Sequence, residues 1–222
     1  YKEIMTHPQD HSFILTYQGN VVALYLKELY INDMISLLTK LSSSSEILEF
    51  FREKCVCKEL EIISLLSNTW DILKFQNRGI RTDFRLKNKP GIIKGDITPN
   101  TVLYNEDNMV IDANTKIMDF VVINATQGPV IIESDVTIHP FSYLEGPLFI
   151  GKGSHILGAK ISQSVIGPGC KIGGEVKQSL FYKNSNKAHD GYIGNSIVGE
   201  WVNLGSGTTT SNLNLNYQDI SV

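Results

Sequence analysis

Aliphatic residues recur at every sixth position through the second half of this 222-residue chain. Ile111, Ile117 and Ile123 step by six, and so do Ile132, Ile138, Leu144, Ile150 and Ile156. Ile166 and Ile172 keep the same step, as do Val198 and Leu204. Glycine directly follows the aliphatic residue at Gly151, Gly167, Gly173, Gly194, Gly199 and Gly205. A period of six fits neither the 3.6 of a helix nor the plain alternation of a hairpin sheet. It suits short strands joined by tight corners, with one aliphatic side chain per side pointing inward. Glycine beside that residue lets the backbone turn or approach closely without a Cβ clash. Turns stacked in this way make a parallel β-helix around an aliphatic interior. The spacing predicts this fold from about Ile92 to Val222, with Ile132, Ile138, Leu144, Ile150 and Ile156 in the interior. The period does not fix the hand of the coil, and the general crossover preference is right-handed.

The first part of the chain reads as mixed α/β. Two apolar runs, Phe13–Tyr17 and Val21–Leu26, flank Gln18-Gly19-Asn20 and predict a hairpin. Met34, Leu37, Leu38 and Leu41 stand at helical spacing. The serine run before Glu46 and its apolar neighbours is a helix start. Ser67 or Asn68 caps a further helix in which Trp70, Ile72 and Leu73 pack, and Gly79 is placed to end it. Residues 85–91, RLKNKPG, read as a linker. The expected division is an α/β segment over 1–86 and a β-helix domain over 87–222.

Several classes are excluded by composition. Hydrophobic content of 42% and charge of 19% mark a globular chain rather than a disordered one. A net charge of −3 gives no basic footprint for nucleic acid and no polybasic run for a membrane. No apolar run approaches the ~18 residues of a membrane span. Three cysteines without framework spacing, Cys55, Cys57 and Cys170, suit reduced thiols in the cytoplasm. The chain opens on Tyr1 and reaches Val222 without a closing element, as expected of a portion of a longer protein. No metal site is expected. His7 and His11 flank Pro8 and lack a third ligand, and His139 and His155 lie in the repeat without a paired-histidine spacing.

Between Ile172 and Ile193 the rhythm breaks, which predicts an inserted loop or an irregular turn able to reach a neighbouring surface. Lys183, Lys187, His189, Asp190 and Tyr192 crowd into that stretch. Two cations suit a phosphate, and an imidazole titrates near neutrality. Donors for an oxyanion are expected from the backbone of 204–208, LGSGT. A plainer reading stands beside each of these. A histidine in a polar loop is commonly a surface residue, and lysines at corners are commonly solvated. Asn203 stabilises a corner on that reading, and Tyr192 covers the break.

The hexapeptide pattern resembles the left-handed β-helix acyltransferases. Residues 173–217, from GGEVK through NKAHDGY and VNLGSGT, are similar to the C-terminal domain of the GlmU family, which couples glucosamine-1-phosphate acetylation to uridyl transfer. They are still more similar to a GlmU-like bacterial group of sugar nucleotidyltransferases, and residues 68–84 resemble the segment leading into that group's helix. The resemblance implies a left-handed coil and a first segment that ends a nucleotidyltransferase-like domain. It places the catalytic histidine at His189, the sugar-phosphate lysine at Lys177, and further substrate contacts at Tyr192 and Asn203, with Glu175 also matching. Lys187 joins them as a candidate substrate cation. Two departures stand out. Ala159, with Lys160 beside it, falls where the family has an arginine, and Asp190-Gly191 replaces the Leu-Thr after the family's histidine.

The function implied is transfer of an acetyl group from acetyl-CoA to an amino sugar phosphate or sugar nucleotide. His189 is the general base, a role that contributes ~10²–10⁴-fold. The coils that complete the acetyl-CoA site in the family are expected beyond Val222. The alternatives are a sugar-1-phosphate nucleotidyltransferase, using Mg and a nucleoside triphosphate, whose β-helix serves assembly or regulation, and a non-enzymatic trimeric scaffold. The family forms homotrimers with sites between subunits, so a homotrimer is expected here.

Overall fold

A computed structural model describes residues 12–40, 43–61, 65–87 and 90–211. The chain divides into two compact units, residues 1–65 and 66–222. This division falls ahead of the expected 86/87 junction, because the helix Asp71–Lys87 packs on the β-helix.

In the first unit the strands Phe13–Tyr17 and Asn20–Tyr25 pair antiparallel, and Val56–Glu59 joins the first of them in parallel. Gln18 and Gly19 take φ of 49° and 77°, the left-handed pair that matches a two-residue hairpin to strand twist. Phe13, Ile14, Leu15 and Phe51 form the buried part. Ser43 and Glu46 make a reciprocal capping box at the start of the helix Ser44–Arg52. The helix Ile31–Thr39 buries none of its residues, and Leu38 is exposed, so its stripe is not core as the spacing suggested. Leu41, like His7 and His11, lies outside the described residues.

The second unit is a parallel β-helix. Three sheets of seven, six and six strands form its faces, giving six full turns and the first strand of a seventh. Consecutive hexads fall on successive faces. Ile132 and Ile150 therefore pair on the first face, Ile138 and Ile156 on the second, and Leu144 stands on the third. All five are fully buried, as the period required. Each such side chain contributes ~1.5–3 kcal/mol when removed from water.

The hexad is not displaced by an insertion between Ile172 and Ile193, as the break suggested. Phe181, Lys187 and Ile193 are buried inward residues six apart, in register below Ile166, Ile172 and Val176. The rhythm looked broken because a lysine fills an aliphatic position and because the turns above it shorten. Only sixteen residues separate the paired Ile150 and Ile166, and fifteen separate Ile166 and Phe181.

The outer side of the first face is also apolar, with Val110, Ile131, Phe149, Val165, Leu180 and Ile197 in one register line. The helix Asp71–Lys87 lies against this face. Gln76 Nε2 donates to the Gln163 carbonyl at 3.0 Å, Arg81 Nη2 donates to the Gln127 carbonyl at 2.5 Å, and Ile80 is buried. These contacts carry the helix through Gly79 to Lys87, although glycine in a helix costs about 1 kcal/mol against alanine. Its start is fixed by Asp71, whose carboxylate accepts the backbone N–H groups of Ser67 and Asn68. The Lys74 ammonium and those amides hold the Asp71 carboxyl below the usual range. Trp70, expected to pack, is 46% exposed.

Candidate functional site

Corners from the second face to the third are not all of one length: the inward residues stand six apart at Ile97–Leu103, Ile117–Ile123 and Ile138–Leu144, and five apart at Ile156–Ile161. Four residues separate the inward Ile172 from the inward Val176, whereas six separate Lys187 from Ile193. The lower corner, 188–192, is therefore two residues longer than the one stacked on it. Its surplus cannot sit flush, so His189 and Asp190 overhang the coil, and both are exposed. The close stacking depends on Gly173, because a Cβ there would collide with the Ala188 carbonyl.

The overhanging corner is nevertheless held. The His189 carbonyl accepts from Lys187 Nζ at 2.8 Å, the Asp190 carbonyl from the Gly207 amide at 3.2 Å, and the Gly191 carbonyl from the Glu175 amide at 3.1 Å. Lys187 is 1% exposed and lies inside the coil, so it presents no charge to a ligand on the surface. Burial pushes its pKa down, with the nearby Asp190 carboxylate opposing that shift.

The third face runs away from this corner. Its outer side carries two register lines. The first holds Tyr143, Lys160, Glu175 and Tyr192, and the second Glu145, Ser162, Lys177 and Gly194. Lys160 and Glu175 pair at 3.4 Å, an exposed contact that adds little stability. Ala159 is fully buried, so Lys160 beside it is the outward cation. Tyr192 does not stand straight out. An added methyl at Gly194 would lie 2.6 Å from Tyr192 Cζ and 2.7 Å from Cε1, so the ring lies across Gly194. This carries the hydroxyl toward the Lys177 line. Lys177 is exposed, with its carbonyl held by the Asn195 amide and the Ser179 hydroxyl.

The structure thus gathers His189, Tyr192, Lys160 and Lys177 along one edge and face, and separates the rest. Lys183 sits at a different corner, paired with Glu200 at 3.5 Å. Asn203 lies on the second face, bridged to Asn186, with its side-chain oxygen accepting from Asn186 Nδ2 at 2.7 Å. In the 204–208 loop the amides of Leu204, Gly207 and Thr208 go to Asn186, Asp190 and Gly205. His139 and His155 face each other with ring centroids 6.3 Å apart. No group of three or more His, Cys, Asp or Glu suited to a metal occurs among the described residues. No helix among them is long and apolar enough to cross a membrane.

Sequence reasoning missed the seat that Gly194 provides and the inward place of Lys187. A count of six from Phe181 and six back from Ile193 points to Lys187; nothing in the spacing points to the tyrosine's lean.

Six-residue sides, an aliphatic interior and a histidine-bearing overhang define a hexapeptide-repeat β-helix protein. This β-helix is GlmU-like. It is similar to the bifunctional protein GlmU of Wigglesworthia glossinidia brevipalpis, with 33% identity over 129 residues, covering 54% of this chain and 27% of that protein. The bifunctional protein GlmU of Picosynechococcus sp. is 34% identical over 108 residues, covering 48% of this chain and 19% of its own length. That of Thermodesulfovibrio yellowstonii is 36% identical over 107 residues, covering 47% and 19%. The chain thus spans about a quarter or less of the curated relatives it matches. No family model matches it.

Proposed function

We propose that this chain is a GlmU-like sugar-phosphate transferase whose β-helix acetylates an amino sugar phosphate or sugar nucleotide from acetyl-CoA, with His189 as general base. The observation that carries the reading is the overhang. The corner 188–192, two residues longer than the one stacked on it, bears an exposed imidazole on a backbone whose three successive carbonyls are all bonded. A sugar ammonium must lose a proton before its nitrogen attacks a thioester carbonyl, and a held imidazole at the rim is suited to take it. Lys177 and Lys160 supply positive charge for the phosphate, and Tyr192 supplies a hydroxyl for the sugar. Donors to the developing oxyanion are drawn from the amides of Gly205 and Ser206.

The same reading makes the chain a homotrimer. His189 precedes the strand Tyr192–Gly194, whereas Lys177 is level with its last residue, so one copy offers an edge and a face rather than an enclosed cleft. A neighbouring copy supplies the missing wall. Light scattering that gives a monomer mass at micromolar concentration counts against this arrangement.

Mass spectrometry of products tests the chemistry. The protein is incubated with a panel of amino sugar phosphates, acetyl-CoA and nucleoside triphosphates with Mg. A product heavier by one acetyl group is the expected result. Nucleotide-sugar product alone, or no acetyl product from any sugar, overturns the acyl-transfer reading.

A further inference from the structure

Inside the second face Ile97, Ile117, Ile138, Ile156 and Ile172 stack in register, and Lys187 is the sixth member of the column. Its methylenes take the place of the isoleucine side chain above, as long lysine stems do on apolar surfaces. Its ammonium needs partners, because an unpaired charge in such a place is very costly. It finds two. Nζ donates to the Gly173 carbonyl at 3.0 Å and to the His189 carbonyl at 2.8 Å, joining one turn to the next. Gly174 leaves the room, since a Cβ there would stand 2.8 Å from Nζ.

Corners higher in the coil meet the same need with hydroxyls. Ser142 Oγ donates to the His139 carbonyl at 2.7 Å, and Thr101 Oγ1 to the Met118 carbonyl at 3.2 Å. At the lowest corner the His189 carbonyl lies one position farther along an overhanging segment, and the long lysine stem reaches it from the column. Of the three bonds that hold the carbonyls of 189–191, this is the one made by a side chain, so it can be removed by substitution.

We propose that Lys187 is a positioning residue for His189: from inside the coil it fixes the His189 carbonyl and thereby the direction in which the imidazole leaves the corner. This rests on the reading of His189 as the general base. It replaces the expectation that Lys187 contacts substrate.

The test compares the chain with Lys187→Met, which keeps the stem, and Lys187→Gln, which keeps a neutral donor. Backbone amide exchange at Gly207 and Glu175, whose N–H groups donate to the Asp190 and Gly191 carbonyls, reads the hold on the corner. Acetyl-transfer kcat and KM read its consequence. Lys187→Met should speed exchange at these two amides about tenfold, as the corner loosens on losing a hydrogen bond to a charged donor. It should lower kcat by up to about 10²-fold with KM unchanged, since a small misplacement of a reacting group has that scale of effect. Lys187→Gln should recover part of both. Wild-type exchange and kcat in Lys187→Met overturn the proposal, and so does a raised KM with kcat intact, which marks a substrate contact. If the wild-type chain acetylates no sugar, the acyl-transfer reading fails on its own and the exchange result still decides the positioning. Should Lys187→Met not fold, Lys187→Gln decides. If neither folds, the lysine is core alone and the proposal falls.

Discussion

Gly194→Ala is the sharpest test of how the third face is built. The new methyl would stand 2.6 and 2.7 Å from Tyr192 Cζ and Cε1, and closer still to the hydroxyl oxygen. Ordinary contact begins near 3.4 Å, so about 1 Å must be found. The backbone is poorly placed to give it. Gly194 is buried, pairs with Lys177 on one side and donates its N–H to Thr210 Oγ1 at 3.0 Å on the other. Tyr192 is only half-buried, so its ring moves outward. Overpacking of this kind costs about 1–3 kcal/mol. In a chain of this length that is a fall in Tm of roughly 2–12 °C. The hydroxyl also leaves the Lys177 line, so KM for the amino sugar phosphate should rise while kcat changes little. Calorimetry reads the first effect and steady-state kinetics the second. A variant with unchanged Tm and KM, or a crystal structure of it with the tyrosine unmoved, refutes the reasoning.

Four further outcomes follow from the same geometry. His189→Ala keeps the carbonyl that Lys187 holds, so stability should stay within about 0.5 kcal/mol while acetyl transfer falls ~10²–10⁴-fold; lost stability with full activity per folded molecule would mark a structural histidine. Lys177→Ala should raise KM and leave kcat, because a phosphate contact serves ground and transition states alike; a fall in kcat alone rules that role out. Ile138→Ala, fully buried between Ile117 and Ile156, should cost about 2–5 kcal/mol in urea unfolding, and a cost well under about 1 kcal/mol would mean the interior is not closed. Lys187 has its pKa lowered below the ordinary 10.5 by burial, so the unfolded chain keeps that proton to higher pH than the folded one. Stability of the wild type relative to Lys187→Met should therefore rise with pH between the lowered pKa and 10.5; a flat or falling difference across that window would show that the folded pKa is not depressed.

The six-residue period determined the β-helix by itself, because an inward position repeated along a short-strand coil favours an aliphatic side chain. Ile132 to Ile156 needed no more than counting. The hairpin at Gln18-Gly19 and the cap at Ser43 were local in the same sense, each set by residues within a few positions. The sequence placed His189 on an exposed, polar stretch, and the fold keeps it there. What the sequence could not decide were quantities set between turns. Whether a corner overhangs depends on the length of the corner stacked against it, so the prominence of His189 arises from 173–175 as much as from 188–192. Lys187 reads as a surface cation until two carbonyls from different turns are seen to meet its ammonium inside the coil. Gly79 reads as a helix end until the outer face of the coil holds the helix past it. In each case a contact distant in sequence supplied more free energy than the local preference it overrode, and such contacts exist only once the turns are stacked.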